Sequence, residues 1–233
     1  MHAKQETGDQ PERSDYFGQL RQRMVQHQIR GRGIVDERVL QAMGRVPREE
    51  FVSEDIRKSA YDDCPLPIDC GQTISQPFTV AFQCEALQLQ GHERVLEIGS
   101  GSGYAAAVLA HLAKEVYTVE RIPELAEQAQ VTLKRLGYVN VYVFAADGTL
   151  GLPAQAPFDG IVVTAGGTEL PKTFLEQLAM GGRIVMPIGK HLGSQVMYRF
   201  TKLPGELRSE DLGGFAFVPL IGQYGWDETT LSN

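Results

Sequence analysis

Hydrophobic positions along the chain change period partway through. Before residue 90 they recur at helical spacing. Phe17, Leu20, Met24 and Gln28 fall on one helical face, closed by Gly31 and Gly33. Val39, Leu40 and Met43 predict a second helix, with Asp36 placed to cap it and a stop before Pro47. Phe51 and Ile56 suggest another short helix. From Tyr61 to Ile74 the residues are turn formers, with Pro65, Pro67 and Gly71. Ser75 then precedes Pro77, Phe78, Ala81 and Phe82, the pattern of a helix with Pro in its first turn and Ser75 as a candidate cap.

From Arg94 onward, short apolar runs alternate with helical segments. Strands are predicted at 94–99, 115–120, 139–146, 158–165, 182–188, 194–202 and 213–221. Helices are predicted near 103–113, 123–136 and 171–179, with Pro123 and Pro171 in first turns. The early runs lack polar alternation, as strands covered by helices on both faces do. The last two have no helix between them and predict an antiparallel closing pair. The expected fold is α/β, a doubly wound, mostly parallel seven-stranded sheet with an N-terminal helical subdomain. A site is expected at the carboxyl ends of the first four strands. Residues 1–15 are expected to be a mobile extension, 16–90 a helical and substrate-loop subdomain, and 91–233 the core. Repeats, low-complexity tracts and flexible linkers are absent from the sequence.

The 233 residues suit one α/β domain with an appendage, and 42% hydrophobic content is ordinary for a globular chain. A formal charge of -7 without a Lys/Arg block argues against a nucleic-acid partner. Three cysteines without a C-x-x-C suit a reducing cytoplasm, and five scattered histidines offer no metal-ligand spacing. Residues 1–14 resemble neither a signal peptide nor a membrane span. The apolar stretch 105–113 is too short to cross a bilayer. A cytoplasmic monomer with no membrane partner is expected.

The chemistry concentrates in Val95 to Tyr104. A buried strand carries Glu97 near its end, then glycines at 99, 101 and 103 make a turn into a helix. Glycines let the backbone turn sharply and let a ligand approach the main chain, and N–H groups at such a turn meet polar or anionic ligands. A dinucleotide pattern G-x-G-x-x-G from Gly99 fails at Tyr104, while G-x-G-x-x-A from Gly101 fits with Ala106. The glycines alone therefore leave a nicotinamide cofactor open. Val116 to Glu120 predicts a second strand ending in a carboxylate, 19 residues past Gly101. An acid there can accept from both ribose hydroxyls. Asp147 and Gly148 end the third strand, where Asp can accept from an adenine amino group; Asp-Gly is equally a common turn pair. Asp159 begins its strand, at the end away from the site, and is read as structural.

The pattern E-x-G-x-G-x-G, with Glu97, Gly99, Ser100, Gly101 and Gly103, resembles that of doubly wound S-adenosylmethionine-dependent methyltransferases. More specifically, Leu66-Pro67-Ile68-Asp69-Cys70-Gly71-Gln72-Thr73-Ile74-Ser75-Gln76-Pro77 resembles the segment before the cofactor motif in protein-L-isoaspartate O-methyltransferases. Val46-Pro47-Arg48-Glu49-Glu50-Phe51-Val52, Val119-Glu120-Arg121, Pro157-Phe158-Asp159 and Phe217-Val218-Pro219-Leu220 extend the likeness across roughly residues 20 to 222. The sequence departs from the family at Asp69-Cys70, at Ala146 and at Gly166-Gly167-Thr168.

The resemblance implies a Rossmann-like methyltransferase fold and S-adenosyl-L-methionine as cofactor. It implies methylation of the free α-carboxylate that isoaspartyl residues carry in damaged proteins and peptides. The ester collapses to a succinimide, which reopens partly to normal aspartate. Glu97 is implied near the methionine end of the cofactor. Gly99, Ser100, Gly101, Gly103, Glu120, Arg121, Asp147 and Gly148 are implied around the rest. Ser75 is implied as the catalytic residue, its hydroxyl orienting the substrate carboxylate, with Gln72, Thr73, Ile74, Phe217 and Val218 binding substrate. The late strand would hold the substrate backbone. No metal is implied. Three alternatives stay open at this point: a general carboxyl or small-molecule methyltransferase, a nicotinamide-dependent reductase, and a cofactor-binding homologue without turnover.

Overall fold

The computed structural model describes residues 10–227, Leu192 excepted. The expected extension 1–15 lies outside the described residues up to residue 9. Helix α1 begins already at Gln10 and runs to Arg23, and the chain continues as a π-helical turn over Met24–Ile29. Gly33, at φ +101°, closes this run. Asp36 caps α2 (Glu37–Arg45) by accepting from the Arg38 N–H at 2.8 Å. Two 3₁₀ turns follow, Arg48–Phe51 and Glu54–Ser59. A small antiparallel pair, β1 (Leu66–Pro67) with β2 (Thr73–Ile74), pins the loop between them. Helix α3 (Pro77–Leu87) starts with Gln76, not Ser75, at the cap position, without a side-chain cap bond.

The core elements are β3 (Arg94–Ile98), α4 (Tyr104–Leu109), β4 (Glu115–Glu120), α5 (Pro123–Arg135), β5 (Val141–Ala145), β6 (Phe158–Val163), α6 (Lys172–Gln177), β7 (Leu178–His191), β8 (Ser194–Leu203) and β9 (Glu206–Phe215). They form one seven-stranded sheet in the order β5-β4-β3-β6-β7-β8-β9. The first five of these positions are parallel; β8 and β9 close the sheet as an antiparallel ribbon. The strand order reverses beside β3, which creates the crevice where such sheets bind ligands.

A second expectation, the last strand, also needs correction. The last strand is Glu206–Phe215, not 213–221. As an edge strand it is mostly polar, so no apolar run marks it. The apolar residues after Phe215 leave the sheet instead. Gln195 Oε1 accepts the Phe217 N–H at 2.9 Å, and Gly166 brackets Pro219, its N–H donating to Val218 O and its C=O accepting from Leu220 N, both at 2.8 Å. A Cβ on Gly166 would lie 2.9 Å from Gln195 Cδ. Glycine at this departure from the family pattern is therefore what lets the segment pack here.

The N-terminal helices do not form a core of their own. Met24, Ile29, Val39 and Met43 pack in one cluster with Val95 and Val116 of the sheet. The opposite face, with Leu96, Ile98, Val119 and Ile161, packs on Phe174 and Leu178. Both faces being covered explains why β3, β4 and β6 carry apolar residues on both faces.

Candidate active site

Glycines at the end of β3 shape the site. Gly99, Gly101 and Gly103 have φ of +97°, +51° and +88°, the region L side chains avoid. At Gly99 the space is also closed: a Cβ would sit 2.3 Å from Thr164 Oγ1, which lies 2.8 Å from the Gly99 carbonyl. The turn is tied to β4 by the Gly99 N–H, which donates to Val119 O at 2.8 Å.

Glu120, at the end of β4, is 6% exposed. Its Oε2 accepts the Gly101 N–H and its Oε1 the Ile122 N–H, each at 3.0 Å. Each carboxylate oxygen has a second lone pair left for a ligand hydroxyl. A Cβ at Gly101 would reach within 3.5 Å of Ile68 Cδ1 and 4.0 Å of Thr73 O, so a side chain there would fill the gap between turn and loop.

These parts border one cleft of about 800 Å³, open mouth included, within the range of small-molecule sites. One wall is the 72–75 loop and another is the 218–221 segment. Of the residues singled out in the sequence, Gln72, Thr73, Ile74, Ser75, Gly99, Ser100, Gly101, Glu120, Arg121, Gly148 and Val218 line it. Glu97, Gly103, Asp147 and Phe217 do not. Gly103 instead backs onto α5, where an added Cβ would be 3.2 Å from Leu133 Cδ1. Phe217 is 9% exposed and packs in the core cluster with Val95 and Val185.

Asp147 is engaged in holding a strap. Its Oδ1 accepts from Thr149 N–H and Oγ1 at 2.9 and 2.7 Å, and its Oδ2 accepts the Gln223 N–H at 2.8 Å. The Trp226 indole N–H donates to Gly166 O at 2.9 Å, so the segment 219–226 is clasped at both ends beside the cleft. Ala146, another departure, donates its backbone N–H to Glu120 O at 2.9 Å. At the Asp69-Cys70 departure, Cys70 adopts φ +56° and Asp69 Oδ2 accepts from Gln128 Nε2 at 3.0 Å.

Glu97 is fully buried on β3 beside Thr118 of β4, its register partner. Burial pushes its carboxyl up to about 8, and the charge of Glu120 adds to the rise; the Thr118 hydrogen bond opposes it.

Ser75 is half-buried, and among the described residues its hydroxyl makes no hydrogen bond. Sequence reading did not single out Ile122 and Thr164, which also line the cleft. Each lies just past a strand end, a position the topology brings to the crevice but no motif marks.

The donor set fits a nucleoside with a charged amino-acid tail. It offers a paired acceptor for a diol, bare backbone at the glycine turn, and apolar walls from Val80, Ile122 and Leu220. Among the described residues no cluster of His, Cys, Asp or Glu is placed to hold a metal, and no helix is long and apolar enough to cross a membrane.

Comparison with known proteins agrees with this geometry. The family model for protein-L-isoaspartate(D-aspartate) O-methyltransferase matches residues 19–225. Protein-L-isoaspartate O-methyltransferase 2 of Marinobacter nauticus is 55% identical over 208 residues, 89% of this chain and 95% of that protein. A solved protein-L-isoaspartate O-methyltransferase superposes with a TM-score of 0.78 at 32% identity, over 91% of this chain and 67% of the other. A Plasmodium falciparum structure of the same description, in complex with S-adenosyl-L-homocysteine, gives a TM-score of 0.74 at 26% identity, over 86% of this chain and 98% of the other. With its glycine turn, its paired acceptor at Glu120 and a match spanning nearly every described residue, the chain belongs to the protein-L-isoaspartate(D-aspartate) O-methyltransferase family.

Proposed function

We propose that the chain transfers the methyl group of S-adenosylmethionine to the free α-carboxylate of L-isoaspartyl residues in damaged proteins and peptides. The observation that carries this reading is Ser75, a hydroxyl without a partner among the described residues, in the same cleft as the glycine turn and Glu120. In this reading a monomer suffices, because the glycine turn, Glu120 and Ser75 line one cleft. The cytoplasm suits three free cysteines, two of them exposed.

Bound S-adenosylmethionine supplies an activated methyl on a sulfonium. The protein's task is then alignment. Glu120 offers its remaining lone pairs to the ribose diol, and the glycine turn admits the cofactor against the backbone. The substrate carboxylate needs no general base, because an α-carboxyl has a reference pKa of about 3.3–3.7 and is ionised at neutral pH. Ser75 donates one hydrogen bond to that carboxylate and fixes the attacking oxygen. Gln72, Thr73 and Ile74 shape the same wall. Along the 215–221 segment, the Phe217 N–H and Val218 C=O are taken internally, while among the described residues the Val218 N–H has no partner. A free N–H on Val218, which lines the cleft, suits strand-like capture of a substrate backbone carbonyl, which ignores most side-chain identity.

The test compares an isoaspartyl peptide with its normal aspartyl twin. The wild type methylates the first and leaves the second nearly untouched. Ser75→Ala slows methylation by roughly ten- to a thousand-fold, the scale for removing one positioned donor, while affinity for S-adenosylhomocysteine changes far less. Equal methylation of both peptides would reduce the protein to a general carboxyl methyltransferase. Full activity in the variant would remove Ser75 from the mechanism.

A further inference from the structure

Glu97 poses a problem that cofactor alignment does not solve. The side chain is fully buried, one oxygen lies 2.5 Å from Thr118 Oγ1, and the other, Oε1, has no partner among the described residues. Buried polar atoms are nearly always satisfied, so an exception needs a cause. Thr118 is also fully buried, and its Oγ1 lies 2.6 Å from Ser100 Oγ. Ser100 is 5% exposed and lines the cofactor cleft. The three side chains thus form an unbranched line from the core to the cleft.

We propose that Glu97, Thr118 and Ser100 are a hydrogen-bond relay in which Glu97 holds a proton, so that Ser100 keeps its hydroxyl hydrogen for an acceptor oxygen of the bound cofactor. Glu97 and Thr118 are positioning residues, acting on the ligand only through Ser100.

The sense of the line follows from counting hydrogens. Thr118 has one hydroxyl hydrogen and two neighbouring oxygens. With Glu97 ionised, Thr118 donates to Glu97 and Ser100 donates to Thr118, leaving Ser100 only lone pairs for the cleft. With Glu97 protonated on Oε2, Glu97 donates to Thr118 and Thr118 donates to Ser100. The Ser100 hydrogen is then free. The unpartnered Oε1 favours the second arrangement. An unpaired carbonyl oxygen of a neutral acid is far cheaper to bury than an unpaired anion. The groups acting on Glu97 agree. They are Glu120 at the end of β4 and the buried Cys84 thiol of α3, neither of them a cation. Burial, as noted, holds the Glu97 carboxyl at about 8. The acceptor on the ligand is an oxygen with a free lone pair; of the groups S-adenosylmethionine carries, its carboxylate is the strongest.

Two measurements test the relay. The first is the infrared spectrum of the wild type and Glu97→Gln. A protonated-carboxyl C=O band is expected in the wild type near neutral pH, lost by about pH 9.5, and absent from the variant. The absence of that band from the wild type near neutral pH overturns the proposal. This arm needs no ligand, so it stands apart from the methyltransferase reading. The second arm rests on that reading and follows S-adenosylhomocysteine binding by calorimetry. Wild-type affinity falls about tenfold between neutral pH and about pH 9.5, the weight of roughly one hydrogen bond to a charged group. Glu97→Gln flattens the profile relative to wild type, because an amide N–H donates to Thr118 at every pH. Thr118→Val weakens binding about tenfold near neutral pH, again one hydrogen bond, and Thr118→Ser restores both affinity and pH dependence. A Glu97→Gln profile that tracks the wild type, or a Thr118→Ser protein that behaves like Thr118→Val, overturns it.

Discussion

The backbone N–H of Gly101 donates to Oε2 of Glu120 at 3.0 Å, joining the glycine turn after β3 to the end of β4. Two separate motifs thereby become one rigid device. The carboxylate that we propose serves the ribose also fixes the glycine turn, and the Ile122 N–H on Oε1 holds it from the other side.

Glu120→Ala removes both functions at once. S-adenosylhomocysteine binding should weaken by about 1.5–3 kcal/mol, the scale for hydrogen bonds to a charged group. Isothermal titration measures this directly. Unchanged affinity with an intact fold would place the ribose elsewhere.

Gly101→Val introduces a β-branched side chain at φ +51° in the gap beside Ile68 and Thr73. Backbone strain of about 1–2 kcal/mol follows, and the side chain occupies the ligand's approach. Cofactor binding should be lost in calorimetry while circular dichroism stays native. Retained affinity would mean that the cofactor does not pass this turn.

Asp147→Ala unties the strap. It removes a cap on the 148–150 turn, worth about 0.5–2 kcal/mol, and the acceptor for Gln223 N–H. Limited proteolysis should cut near Tyr224 faster than in wild type, and S-adenosylhomocysteine affinity should drop several-fold. Unaltered cleavage would show that the bonds of Tyr224 to Thr149 and of Trp226 to Gly166 hold the segment without Asp147.

The raised carboxyl of Glu97 also makes stability depend on pH. Unfolded, it titrates near its ordinary value of 4.5; folded, it keeps its proton to about 8. The folded state binds the extra proton between these values, so stability is greatest below the window and falls as pH rises through it. Thermal denaturation of wild type and Glu97→Gln should differ in slope across that window, the difference amounting to a few kcal/mol at most. Parallel curves would show that Glu97 ionises normally.

Period and punctuation in the sequence suffice for most of the fold. Apolar runs without alternation mark β3, β4 and β6 because both their faces are buried. Asp36 and Gly33 mark helix ends because capping and left-handed backbone are local chemistry. The glycine turn and Glu120 are legible for the same reason, since the residue types themselves carry the geometry. Contacts between distant segments are not legible. Only the folded chain decides that Asp147 clasps the 219–226 strap, that Gln195 draws Phe217 out of the sheet, and that β9 is the polar segment before it. Only the β3–β4 register sets Glu97 beside Thr118, and the turn after β3 then folds Ser100 onto that pair. Local pattern records what a residue does to its neighbours in the chain. Pairings across 20 to 80 residues depend on sheet order and packing, which no local pattern encodes.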